Sequence, residues 1–324
     1  MTPAQDLQPG QPRHTFLRRW GSPAGSVVSA ALLSYVVWRA VQSVHDIRFQ
    51  IVPLAVALPV ALVSWLAQGT AWLVLSGRFN SGQLTRWSQS QALRYIPGGL
   101  WGPLARATSV PGRKYTKFAT LATEQGMCLA AAVAVGGVDL AFGESAWFGL
   151  CVPAPVVLGL VLSRFRKAGH PVRARQLVLS GVIYTVGFIA YSGAIVLAQA
   201  AVGPVSDVWR VAGAGCFAWV LGVVIIFAPG GAGVREAAYV ALVGRAVPSL
   251  GVAGSLVARL VLTAAEMSVL LVLVARLHLV RARDQRTRRV TARGPTDEAG
   301  SRQPAGPVAD GTGGGDATSL PSPA

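Results

Sequence analysis

Charge is what this chain has least of. Only 13% of its 324 residues are charged, against 52% that are hydrophobic, where an ordinary soluble domain carries about 25% charged residues. A large water-soluble core is excluded, because there are too few polar residues to cover it. Cysteine is scarce too. Cys128, Cys151 and Cys216 fall in three separate apolar stretches, with no spacing for a metal or a disulfide framework, and such thiols serve as packing residues. His14, His45, His170 and His278 are scattered through tails and connections, which leaves no zinc or histidine-based catalytic cluster. No nucleotide loop and no nucleophile–base arrangement occurs. Neither a self-contained enzyme nor a cofactor is expected.

What the chain does have is long apolar runs. Seven can be marked, roughly at 24–44, 51–75, 118–138, 145–163, 177–202, 208–228 and 251–277, and most reach the length of about 20 residues that a helix needs to cross a bilayer. The expected fold is all-α: a polytopic helical membrane domain over 23–277, between an N-terminal tail at 1–22 and a C-terminal tail at 278–324. The first run follows a polar lead and has no clear small-residue cleavage site, so it reads as a retained span. The C-terminal tail is first Arg-rich, then low in complexity, a composition that cannot offset its ordering entropy and predicts disorder.

The net charge of +16 invites a nucleic-acid reading, but the arginines cluster beside the spans, and no nucleic-acid partner is expected. Arg13, Arg18 and Arg19 precede the first run, five basic residues occupy 164–175, Arg276 stands at the end of the last run, and Arg281 and Arg283 follow it. Asp139 and Glu144 lie in a connection without basic residues. By the positive-inside rule both termini are cytoplasmic. That demands an even number of crossings, yet there are seven runs. The segment 234–248 is a candidate eighth element, too short for a straight crossing unless it is the second half of a broken helix. The region 88–110 is expected to dip in and return. This gives about seven long spans plus two short, Pro-Gly-broken or re-entrant elements, with 78–94 as a connecting interfacial helix.

Two Pro-Gly-Gly breaks carry the functional signal. PGGAGVRE occupies 229–236, and YIPGGLWG at 95–102 is followed by Arg106. Lipid cannot satisfy free backbone groups, so such breaks are tolerable only against protein or a watery cavity, and breaks in both halves of a membrane protein point to a transport site. Gly230, Gly231 and Gly233, with Gly98 and Gly99 upstream, let backbone approach a lipid head group closely. Arg235 and Arg106 supply planar donor sets suited to phosphate, and the helix N-terminus after the break offers further N–H groups. Glu236 is placed to orient Arg235, to accept a cationic head group, or to cap its own first turn. Glu124 lies seven residues after Lys117, and Glu266 seven after Arg259, so each pair shares a helix face. Glu124, Glu236, Glu266 and Arg259 are candidates for a polar or proton-coupling path. The bland alternatives are a broken helix packed on its neighbour and structural polar contacts.

With those residues in view, the chain resembles the transmembrane family named after lysylphosphatidylglycerol synthase. The resemblance covers 24–277 and rests on YIPGGLWGPLAR at 95–106, EQG at 124–126, PGGAGVREAAYVAL at 229–242, and Arg259 with Glu266. A Pro-Gly-x-x-Gly-x-Arg-Glu signature maps onto Pro229, Gly230, Gly233, Arg235 and Glu236. Where the family often carries an acidic residue after its upstream glycine, this chain has Pro103 after Gly102. The resemblance implies flippase-like handling of a phospholipid or a polyprenyl-phosphate-linked lipid in the cell membrane. The family's synthase activity belongs to an added cytosolic domain, and the polar tail here offers no such domain, so aminoacyl transfer is not expected. Two other readings fit the same residues: a scaffold for envelope-lipid or glycan-assembly enzymes, and a membrane lipid transferase using a glutamate as base.

Overall fold

The computed structural model describes Ser34 and Trp38, then residues 49–93, 101–110, 112–165, 172–225, 228–243 and 250–292. The first apolar run, both tails, and Arg94, Tyr95, Pro97, Gly98 and Gly99 of the upstream break lie outside the described residues, apart from the two helical residues in that run. Nine α-helices are described: α1 (Ile51–Ser76), α2 (Ser81–Ala92), α3 (Trp101–Ser109), α4 (Lys114–Gly143), α5 (Ala154–Phe165), α6 (Ala174–Ala200), α7 (Val208–Val224), α8 (Val234–Val243) and α9 (Gly251–Ala292). Short 3-10 turns lie at Ala146–Cys151 and Pro229–Gly231. The protein is an all-α, multi-pass membrane protein. Among the described residues, four helical segments are long and apolar enough to cross a membrane, namely α1, α4, α6 and Gly251–Val280. The run at 145–163 divides into a 3-10 turn and α5, and the run at 208–228 yields a helix of 17 residues. Residues 1–275 make one compact unit, and 276–324, with the end of α9, make another.

The first unit buries an apolar core and also exposes large apolar side chains on its outside. On α6, Val178, Val182, Val186 and Ile189 are exposed, a stripe at helical spacing suited to hydrocarbon. Small residues face inward. Ala57 and Ala61 of α1 pack with Ala194 of α6 and with Val261 and Ala265 of α9, and a side chain at Gly187 would press on Ala67 of α1. Close approach of small residues is how helices associate where no hydrophobic effect separates protein from solvent. α1 and α6 run antiparallel, tied at their ends by Gln50 N–H to the Ala201 carbonyl (2.8 Å) and by Gln176 Nε2 to the Val74 carbonyl (3.0 Å). α4 and α7 are likewise antiparallel, with Gly136 against Cys216 and Gly213 against Leu140.

α8 settles how the second break is used. It does not continue α7 in line as the second half of one crossing. It folds back beside α7: Arg235 at its start lies against Gly222, while Arg210 Nε near the start of α7 donates to the Leu242 carbonyl at its end (2.9 Å). The reversal is possible because Gly230, Gly231 and Gly233 take φ of 58°, 70° and 79°, a left-handed conformation that costs other residues about 1–2 kcal/mol each. The α7–α8 hairpin therefore begins and ends at one face of the bundle. Gln199, near the end of α6, bonds the Leu250 carbonyl (3.3 Å) at that same face, where α9 starts.

α2 is more than a surface connection. Asn80 caps it, accepting from Gln83 N–H at 2.7 Å. Trp87 is buried and tilted against Trp65 at 4.8 Å between centroids, over Gly69, where a methyl group would collide with Leu84. This contact points Ser90 and Gln91 toward the interior.

Candidate functional site

The helix that follows the upstream break and the downstream break itself share a cavity. A cavity of about 100 Å³ is lined by Gly102, Pro103 and Arg106 from the upstream element, and by Gly230, Gly231 and Arg235 from the downstream one. α4 contributes Glu124 and Gln125 to its wall, α1 contributes Gln68 and α6 contributes Tyr184. A second cavity of about 60 Å³ shares Gly230 and Arg235 with the first and adds Glu236 and Arg259. Arg235 is thus part of the partition between two polar chambers.

Arg235 is held by shape. Its stem passes between Gly222 and Gly231, where a methyl group on either residue would come within 2.7 Å of Nε or closer. The guanidinium sits 5.8 Å from the centroid of the Trp219 ring, within the range of a cation–π contact. Glycine at 222 is required by this close approach and not by its own backbone.

Two ion pairs tie each break to the long helix that follows it. Arg106 Nη1 of α3 donates to Glu124 Oε1 of α4 at 2.7 Å, with both side chains almost wholly buried. Arg259 Nη1 of α9 donates to Glu236 Oε1 of α8 at 2.5 Å. The signs are exchanged: the short helix carries the arginine in the first pair and the carboxylate in the second. The seven-residue spacings foresaw neither pairing, since Glu124 meets Arg106 of another helix and Arg259 meets Glu236.

Among the roles open to Glu236, the structure has the cap. Its Oε2 accepts from Gly233 N–H at 2.7 Å, half of a capping box in which the third helical residue reaches back to the N-cap. The N-terminus of α8, expected to offer its N–H groups to an anion, has that one taken by its own carboxylate. Glu266 is fully buried in α9, but among the described residues it is not in the wall of either cavity, so the expected path through Glu236 and Glu266 is not joined there. Gly98 and Gly99 lie outside the described residues, and so does the Trp101 side chain. Gln68, Trp87, Tyr184, Trp219 and Gly222 were not singled out from the sequence. Gln68 carried a usable signal, a carboxamide inside a long apolar run. Tyr184, Trp219 and Gly222 carried none, because aromatic residues and glycine are ordinary in membrane helices.

No family model, curated protein or solved structure matches the chain.

The functional reading therefore rests on geometry. A third hollow, of about 880 Å³, opens between α4, α5 and α6, lined mainly by apolar side chains such as Val156, Leu160, Val182 and Ile189, with Asp139 on its wall. Tyr184 lines the polar chamber, and Gly181, one turn earlier on α6, lines the apolar hollow.

Proposed function

We propose that the protein is a flippase-like carrier that passes the polar head group of a membrane lipid through the bundle while the lipid's tail stays in hydrocarbon. One observation carries this reading: Arg106 and Arg235, from breaks far apart in sequence, line a single cavity inside an apolar bundle. An arginine at membrane depth costs about 2.5–3.5 kcal/mol or more, and such residues face cavities that serve a substrate. The helix breaks supply room and the arginines supply charge compensation, a combination that simple helix packing does not need. The resemblance of both Pro-Gly-Gly motifs to the lysylphosphatidylglycerol synthase membrane family supports the same reading, with a phospholipid or polyprenyl phosphate as substrate.

In this reading the run at 24–44, the segment at 145–163 and α7 join the four long helices as spans, giving seven, while α3 and α8 are the short elements. The return of the α7–α8 hairpin to its starting face restores an even number of crossings, which suits two cytoplasmic termini. Purified protein reconstituted into liposomes with labelled phospholipids and polyprenyl phosphates is expected to exchange at least one of them between leaflets faster than empty liposomes do. Movement of none of a broad panel above leakage overturns the reading.

A further inference from the structure

The chambers also restrict the head group. Each carboxylate in their walls is engaged at both oxygens. Glu124 accepts from Arg106 at 2.7 Å and from Gln125 Nε2 at 3.3 Å, and Glu236 accepts from Arg259 at 2.5 Å and from Gly233 N–H at 2.7 Å. An ammonium group entering either chamber meets carboxylates that already carry a guanidinium on one oxygen and a neutral N–H donor on the other. Among the described residues, the walls of the larger chamber hold two basic side chains, Arg106 and Arg235, and one acidic side chain, Glu124. The excess of one positive charge matches one phosphodiester.

The other polar groups in that wall are neutral. Gln68, Gln91 and Ser90 present amides and a hydroxyl. Tyr184 is buried, lines the chamber, and its hydroxyl has no hydrogen-bond partner among the described residues. A buried polar group is ordinarily satisfied, so this phenol points to a ligand group that completes it. Neutral donors and acceptors read hydroxyls without preferring a charge. At about 100 Å³ the chamber is well below the roughly 300–1,000 Å³ of a drug-sized site, which suits a small head group and not an oligosaccharide.

We propose that the larger chamber takes a small, singly anionic phosphodiester head group whose remaining polar groups are hydroxyls, and that it discriminates against amine-bearing head groups. This rests on the lipid-carrier reading and narrows its substrate class.

The test uses the full chain in vesicles of neutral carrier lipid containing trace acyl-labelled phosphatidylglycerol, phosphatidylinositol, phosphatidylethanolamine or phosphatidylcholine. Leaflet exposure is followed by quenching from outside. In parallel, retention of the same lipids on the purified protein is measured by native mass spectrometry. The two hydroxyl-bearing lipids are expected to exchange at least tenfold faster than the two amine-bearing ones and to be retained in preference to them. Arg235→Lys is expected to keep most of that ratio, and Arg235→Gln to bring it close to one. Equal exchange of all four lipids, or faster exchange of the amines, overturns the head-group inference and leaves the carrier reading standing. If none is exchanged the carrier reading falls, and retention alone decides this one: preference for the hydroxyl-bearing lipids sustains it and equal retention overturns it. Should Arg235→Gln fail to fold, the wild-type ratio together with Arg235→Lys decides in the same way.

Discussion

Removing Arg106 should be the most costly single loss of charge in the described bundle. Its side chain and that of Glu124 are 5% and 4% exposed, at 2.7 Å. Taking one partner from a buried pair strands the other charge, at a cost of about 3–5 kcal/mol. The Arg210–Glu144 pair is a natural control, since its side chains are 18% and 28% exposed, and pairs accessible to solvent contribute about 0–1 kcal/mol. Arg210→Gln also gives up the bond to the Leu242 carbonyl, worth about 0.5–1.5 kcal/mol, and still falls short of the Arg106 loss. The discriminating variant is the double one, Arg106→Gln with Glu124→Gln. It removes both charges and leaves two amides able to bond each other, so it should be more stable than Arg106→Gln alone, with a coupling of about 1–3 kcal/mol. The assay is reversible unfolding in mixed micelles of increasing denaturing detergent, followed by circular dichroism and tryptophan fluorescence for wild type, both singles and the double. The reasoning fails if Arg106→Gln lies within 1 kcal/mol of wild type, or if the double loses the sum of the two singles.

Three further outcomes are expected. Gly222→Ala should displace the Arg235 stem, which its methyl group would overlap; head-group exchange should drop at least tenfold in the liposome assay, while overpacking costs only about 1–3 kcal/mol of stability. Glu236→Gln keeps an acceptor for Gly233 N–H and should lose less than Glu236→Ala, by about 0.5–2 kcal/mol of capping energy, measured by the same unfolding. In a cysteine-free background, single cysteines at Ser145 and Ser206 should label from outside intact cells, and those at Asn80 and Arg175 only after permeabilisation; the reverse pattern would invert the orientation.

The class of fold and the places where it breaks are legible in the chain's own pattern of residues. Apolar length fixes transmembrane helices because hydrocarbon admits no unsatisfied backbone, and two Pro-Gly-Gly motifs with arginines nearby mark the interruptions. Those signals are local, carried within one helix or one break, so they survive without tertiary information. The partners of the charges were not local. Glu236 is adjacent to Arg235 in sequence, yet its position in the first turn of α8 aims it back at Gly233 N–H and across to Arg259. Glu124 finds its cation on another helix, at Arg106. Whether α8 would continue α7 or reverse beside it depended on three left-handed glycines, Gly230, Gly231 and Gly233, and on the fit of Arg235 between Gly222 and Gly231. A helical repeat reports which residues share a face, but not which face of which other helix it will meet. That choice belongs to packing, and here packing brought two distant breaks to one cavity.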